Sequence, residues 1–308
     1  MKKQSPALDL TTYLAARWAA MMLGIFPVNA NLRTARTFGS LLWTLDGKHR
    51  ARAIENLGRS FPDLPHDRIE RIGRQSIEHF CELAMDVLFT TRIINVETWH
   101  RYVHLNNMRA ALNVALRGGG AIVLTGHYGN WEILGFTLAT LGFRTYSIAR
   151  PIDNPHIDSW LLGVREKRGQ IILSKRGVTT TAQEVLQNKG ILGFIADQNA
   201  GPKGLFVPFF GRLASTYKSI GLLAIQYRVP VMIGYARRRG DRFEFDLGVT
   251  DIIQPEDWDA QPDELRYITE RYTRAIETFV REDPSQYLWI HRRWKTRPKR
   301  ETPPASSA

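Results

Sequence analysis

The chain predicts an α/β fold: a largely parallel sheet entered through a helical first third. Three observations carry this. Short apolar runs bounded by glycine or polar turns begin at Ala121 and recur at Arg144–Ala149, Gln170–Leu173 and Ile191–Ala196. Helical patterns separate them, which is the rhythm of parallel strands joined by right-handed crossovers. Before Ala121 the apolar spacing is helical, with a long stripe at Ile69, Ile72, Ile77, Phe80, Ala84, Val87 and Leu88.

The 308 residues are 44% apolar, enough for one large α/β domain, and no internal repeat or second domain is visible. The single cysteine, Cys81, falls on an apolar helical face and excludes a disulfide framework and a Cys-based zinc site. A net charge of +12 implies an anionic partner: nucleic acid, lipid headgroups or an acidic carrier protein.

In chain order, Leu8–Phe26 reads as a helix flanked by Lys2, Lys3, Arg33 and Arg36. Its uninterrupted apolar run, Trp18–Phe26, is too short to span a bilayer, which takes about 20 residues. Arg17 splits the segment, so an interfacial helix fits better than a signal peptide; an ordinary buried helix is the alternative. Residues 1–47 are therefore read as a membrane-associating segment, 48–295 as the main domain and 296–308, rich in proline and serine, as a disordered tail. Basic Lys48–Arg59 ends at Ser60-Phe61-Pro62, a new helix starts at Pro65–Asp67, and Asn106–Arg117 is a short helix.

Ala121–Leu124 is a buried strand, Thr125–Gly126 breaks it, and Asn130 is an N-cap for a helix from Trp131. His127 thus stands in a strand-to-helix turn, with Glu132 in the helix's first turn. The turn can fold the carboxylate back onto one imidazole nitrogen, fixing the tautomer and raising the basicity of the other nitrogen. Backbone N–H groups at Tyr128–Trp131 are candidates to hold an oxyanion, as is Arg150. With 8 histidines and 30 acidic residues, about one such His–Glu spacing arises by chance, so the context matters more than the spacing.

Beyond this centre, Asn154–Arg168, Val178–Asn188 and Ser215–Tyr227 are helices. Gly201–Gly211 is a flexible loop with an apolar end, Leu205, Phe206, Phe209 and Phe210, which lines either a greasy channel or the core. Val231–Ala236 and Phe243–Leu247 are strands, and a helix starts at Pro262–Glu264 and stops before Pro284. Function in such sheets gathers at the strand C-terminal ends. Those ends carry His127, Arg150 and Asp197, the last followed by Gln198.

Taken together, ARAIENLGRSFPDLP (51–65), TGHYGNWE (125–132), ARPIDNP (149–155), ADQN (196–199), VPFFGRLAST (207–216) and YLWIHRRWKTRP (287–298) resemble the late acyltransferases of lipid A biosynthesis. The related phosphatidylinositol mannoside acyltransferases share much of the pattern. The resemblance implies a single three-layer α/β sandwich of the glycerol-3-phosphate acyltransferase type, on the cytoplasmic face of a bacterial inner membrane. It implies transfer of a fatty acyl group, carried on acyl carrier protein or coenzyme A, to a glycolipid hydroxyl, without a metal or other cofactor. His127 would be the general base with Glu132 as its partner, and Arg150, Asp197, Asn130 and Gln198 would bind substrate. A hydrolase using the same pair, a lipid-binding protein without catalysis and a basic nucleic-acid-binding protein are the rivals. No G-x-S-x-G elbow, Walker A loop, H-E-x-x-H or recognised nucleic-acid-binding motif is present.

Overall fold

The computed structural model describes residues 5–149, 152–166, 169–174 and 178–298. Four helices come first: α1 (Pro6–Leu23), α2 (Val28–Leu45), α3 (Gly47–Ser60) and α4 (His66–Ile93). Ser5 caps α1 and Asp46 caps α3, each accepting a backbone N–H three residues on. Gly39 lets α2 lie directly on α4, because a Cβ there would be 2.5 Å from the Glu78 Cα.

None of the residues of α1 is buried. Leu14, Trp18, Met21, Ile25 and Phe26 are exposed around its end, and α2 adds Phe38, Leu41 and Leu45. The alternative of a buried core helix is thereby overturned. Among the described residues no helix is long and apolar enough to cross a membrane. The helix touches the rest at α7 (Pro155–Glu166), where Arg17 lies over Trp160 and Asn154, just before α7, donates to the Asp9 carbonyl, and at α2, where Asn31 donates to the Leu23 carbonyl.

The sheet comprises β1 (Val103–Asn106), β2 (Ala121–Thr125), β3 (Thr145–Ala149), β4 (Gln170–Ser174), β5 (Ile191–Ile195), β8 (Val231–Arg238) and β9 (Phe245–Ile253). Their order is β1-β9-β8-β2-β5-β3-β4, parallel except for the β8–β9 pair. Between them run α5 (Arg109–Leu116), α6 (Trp131–Thr140), α8 (Val178–Gln187) and α9 (Lys218–Tyr227), and after the last strand come α10 (Pro255–Asp259) and α11 (Glu264–Glu282). One core joins the sheet to α11 through Ile276 and Phe279 and to α9 through Ile220 and Ala224. A second lies between the sheet, α6 and α4, around Ile133, Phe136, Phe89 and Phe245.

Three local expectations change. Residues 103–106 form a strand, so the helix expected from Asn106 starts at Arg109. Val103 alone is buried in that edge strand, which leaves little alternation to read. Residues 205–216 form a hairpin, β6 (Leu205–Phe209) with β7 (Arg212–Thr216), so the following helix begins at Lys218 rather than Ser215. The hairpin turn places Phe210 at φ 50° and Gly211 at φ 68°. Phe209 and Phe210 are buried against Trp289, Trp294 and Phe61, which settles them as core rather than channel. Finally, the start of the expected disordered tail is docked: Asn199 donates to Thr296 Oγ1 and Arg297 to the Leu213 carbonyl. Residues 299–308 lie outside the described residues.

Candidate active site

The site grows from the end of β2. Asn130 caps α6, its Oδ1 accepting from the Ile133 N–H at 3.0 Å. The turn before it, 126–129, is held on three sides. The Gly129 N–H donates to the Gln286 carbonyl and the Leu288 N–H to the His127 carbonyl, which ties the turn to the C-terminal strap. The Asn130 N–H donates to the Ala236 carbonyl on β8. Gly129 has φ 55°, and a Cβ there would collide with that same carbonyl, so glycine is required. Two of the expected oxyanion donors, the Gly129 and Asn130 amides, are therefore already used.

Below the turn lies a buried charge cluster from α4. His79 Nε2 donates to the Gly129 carbonyl at 3.0 Å, and Asp86 accepts from Asn130 Nδ2 at 2.8 Å. Asp86 also pairs with Arg238, and Glu82 with Arg36 at 3.0 Å. Burial pushes the Asp86 carboxyl up to about 6, against the pull of Arg238 and His79. Asn130, expected to bind substrate, is buried, and both ends of its amide are spent on the cap and on Asp86. Its part is to shape the turn.

Strands β2 and β5 pair in register, Thr125 opposite Ile195, and the ladder extends one step as the Ala196 N–H donates to the Thr125 carbonyl. Two residues beyond that pair stand His127 and Asp197, which are therefore neighbours. Asp197 Oδ1 lies 2.7 Å from His127 Nδ1, and Oδ2 accepts the His127 backbone N–H at 2.9 Å. The Asp197 side chain is 1% exposed. Burial alone would raise this carboxyl, but the charge and hydrogen bonds of His127 hold it below the ordinary carboxylate range. An ionised Asp197 makes Nδ1 the protonated nitrogen and leaves the lone pair on Nε2.

This corrects the expected His–Glu contact. The nitrogen assigned to Glu132 is occupied by Asp197, and Nε2 is met by the Gln198 amide at 3.2 Å. Glu132 lines the adjoining cavity instead. Arg150 lies outside the described residues.

The imidazole of His127 packs between Trp131, with ring centres 5.0 Å apart, and His291, at 4.5 Å. Sequence reading missed His291, although it sits in the YLWIHRRWKTRP motif. Only the docking of the strap brings it to the site. Burial, reinforced by the charge of His127, pushes His291 down to about 4, so it stays neutral near neutral pH. Arg293, two residues on, is buried and donates to the Gln198 and Ser215 carbonyls, holding strap and Asp197 loop together.

His127, Glu132 and Gln198 line one part of a cavity of about 430 Å³, otherwise walled mainly by apolar residues of α6 and the sheet. Tyr217, Ser219 and Ile220 from the start of α9 complete the wall. A buried carboxylate, an oriented imidazole and an apolar cavity together suit proton abstraction beside a bound hydrocarbon chain.

The comparison with known proteins agrees in scope. The model of the family "Bacterial lipid A biosynthesis acyltransferase" matches residues 1–296. A lipid A biosynthesis acyltransferase of Haemophilus influenzae is 24% identical over 298 residues, covering 94% of this chain and 91% of its own length. The lipid A biosynthesis lauroyltransferase of Escherichia coli is 24% identical, covering 82% and 81%. The myristoyltransferase of the same organism is 24% identical, covering 86% and 81%.

Proposed function

Since the chain belongs to the bacterial lipid A biosynthesis acyltransferase family and is an acyltransferase, we propose that it moves a fatty acyl group from a thioester to a glycolipid hydroxyl, such as that of a lipid A precursor, with His127 as general base. The observation that carries this is the Asp197–His127 Nδ1 contact at 2.7 Å beside the cavity that His127 lines; with the proton on Nδ1, Nε2 can accept another. Nε2 takes the hydroxyl proton as the oxygen attacks the thioester carbonyl. The tetrahedral intermediate collapses, the C–S bond breaks, and the imidazolium returns the proton to the thiolate. Asp197 orients the ring and stabilises the imidazolium, and Gln198 holds the unprotonated nitrogen toward the cavity until substrate displaces it. Glu132, which lines the cavity, serves the substrate rather than the proton transfer, and the family resemblance gives Arg150 the same part.

The acceptor is a lipid, and the exposed apolar residues of α1 and α2 support docking on a membrane surface at the cytoplasmic side of the inner membrane. The net charge of +12 favours anionic headgroups, and equally an acidic carrier protein or coenzyme A as donor. Purified protein given acyl carrier protein or coenzyme A thioesters, with and without extracted glycolipid, tests the reading. Label is expected in the lipid. Thioester loss that needs no lipid would make the protein a hydrolase.

A further inference from the structure

From the strand ends beside His127, where α9 adds Ile220, the cavity continues along the α6 face of the sheet to Thr145, Gln170 and Ile191, and its far end differs chemically from its middle. Side chains alternate across a strand, so Thr145 and Ser147 share a face of β3, and the register sets Thr145 beside Gln170 of β4 and Ile191 of β5. Those three residues open their strands, whereas His127 lies just beyond the close of β2. The channel therefore follows the full strand length. The four steps from Ile191 to Ile195 span about 13 Å, and the level of His127, two steps further, is at about 20 Å. An extended chain advances about 1.2 Å per bond, from 3.3–3.6 Å per three-bond residue. The channel then holds an extended alkyl chain of roughly 12–18 carbons.

Thr145, Gln170 and Ser147 meet at the end of this otherwise apolar run. Gln170 is 5% exposed and its Nε2 donates to Ser147 Oγ at 2.9 Å. Thr145 is 4% exposed, and its Oγ1 has no hydrogen-bond partner among the described residues. Gly135 of α6 lies over this group, and a Cβ on it would stand 2.5 Å from Gln170 Nε2. The glutamine amide thus fills the slot that the missing side chain leaves. A methyl terminus pushed into it would have to break the Gln170–Ser147 bond and could return no hydrogen bond of its own.

We infer that Gln170, seated under Gly135 and bonded to Ser147, is the stop that sets the length of the acyl chain. The inference rests on the reading of the cavity as the acyl site. The test uses the full chain, extracted glycolipid and saturated thioesters from octanoyl to arachidoyl, and compares kcat/KM across the series. The optimum is expected at roughly 12–18 carbons. Gln170→Ala removes the stop and should raise the preference for the next longer chains about tenfold, the effect of burying a further methylene or two. Gly135→Ala, which crowds the amide toward the channel, should move the optimum the other way.

Opposite shifts in the two variants support the stop. An unchanged profile in either folded variant overturns it. If Gln170→Ala fails to fold, Gly135→Ala decides alone. If wild type transfers no acyl group from any thioester, the acyl-transfer reading has failed instead. Displacement of a fluorescent fatty acid by free acids of the same series then still measures the channel, with the same shifts expected and the same profile in all three proteins overturning the inference.

Discussion

Asp197→Asn asks which carboxylate supports the base. The side chain is almost fully enclosed and spends both oxygens on His127, at 2.7 Å to Nδ1 and 2.9 Å to the backbone N–H. At an effective dielectric of about 20, unit charges this close attract by about 6 kcal/mol, part of which offsets the burial of the carboxylate. A net 3–5 kcal/mol is then lost from the imidazolium, or about 10²–10⁴ in turnover. The amide has a second effect. Turning its NH₂ toward Nδ1 would put the proton on Nε2 and remove the lone pair that accepts the hydroxyl proton; a comparable swap in a serine protease triad costs about 10⁴. The assay is transfer of labelled acyl groups to extracted glycolipid, with thermal melts on every variant. Glu132→Gln, measured beside it, should leave the tautomer and ring orientation of His127 as they are, visible in its ¹⁵N shifts, whereas Asp197→Asn should change both. The double variant His127→Ala/Asp197→Asn should lose little more than His127→Ala alone, because the pair acts as one unit. A folded Asp197→Asn protein within tenfold of wild type would refute the reasoning.

Three further outcomes follow from the geometry. Asp86→Ala leaves the Arg238 side chain, 2% exposed, without its nearest carboxylate, and should cost about 3–5 kcal/mol in chemical denaturation. Asp86→Asn, which keeps the shape, should cost clearly less; equal losses would show that the charge is irrelevant there. His291 is held at about 4 in the fold against 6.5 unfolded, so the unfolded chain takes up a proton that the fold refuses as pH falls between those values. Wild type should therefore lose its stability advantage over His291→Gln as pH drops from about 7 to 5, and a pH-independent difference in melting temperature would contradict this. In binding to anionic vesicles, high salt should weaken attachment only in part, while Leu14→Ser with Trp18→Ser, both on the exposed face of α1, should weaken it at every salt concentration. Fractionation that leaves the whole protein soluble at low salt would end the membrane reading.

The sequence by itself determined the local pieces. Gly118–Gly120 before an apolar run, the break at Thr125–Gly126 and Asn130 before Trp131 are sufficient for a strand, a turn and a capped helix, because each depends on backbone preferences within a few residues. The rhythm of strand and helix was likewise enough for a parallel α/β sheet, and its strand ends pointed to Asp197. What that residue touches was decided elsewhere. His127 and Asp197 are 70 positions apart, and they meet because β5 inserts between β2 and β3, a pairing that no local pattern encodes. Glu132 was the carboxylate within reach along the chain, so local reasoning placed it on the imidazole. The tertiary ladder supplied a nearer one. The same holds for His291, which reaches the site only when the strap from Gln286 to Leu288 hydrogen-bonds to the turn, and for Phe209 and Phe210, whose burial depends on Trp289 and Trp294 arriving from the far end of the chain. Propensity and periodicity act over a turn or two of chain, whereas the site is built from contacts whose closure entropy only the whole packed core can offset.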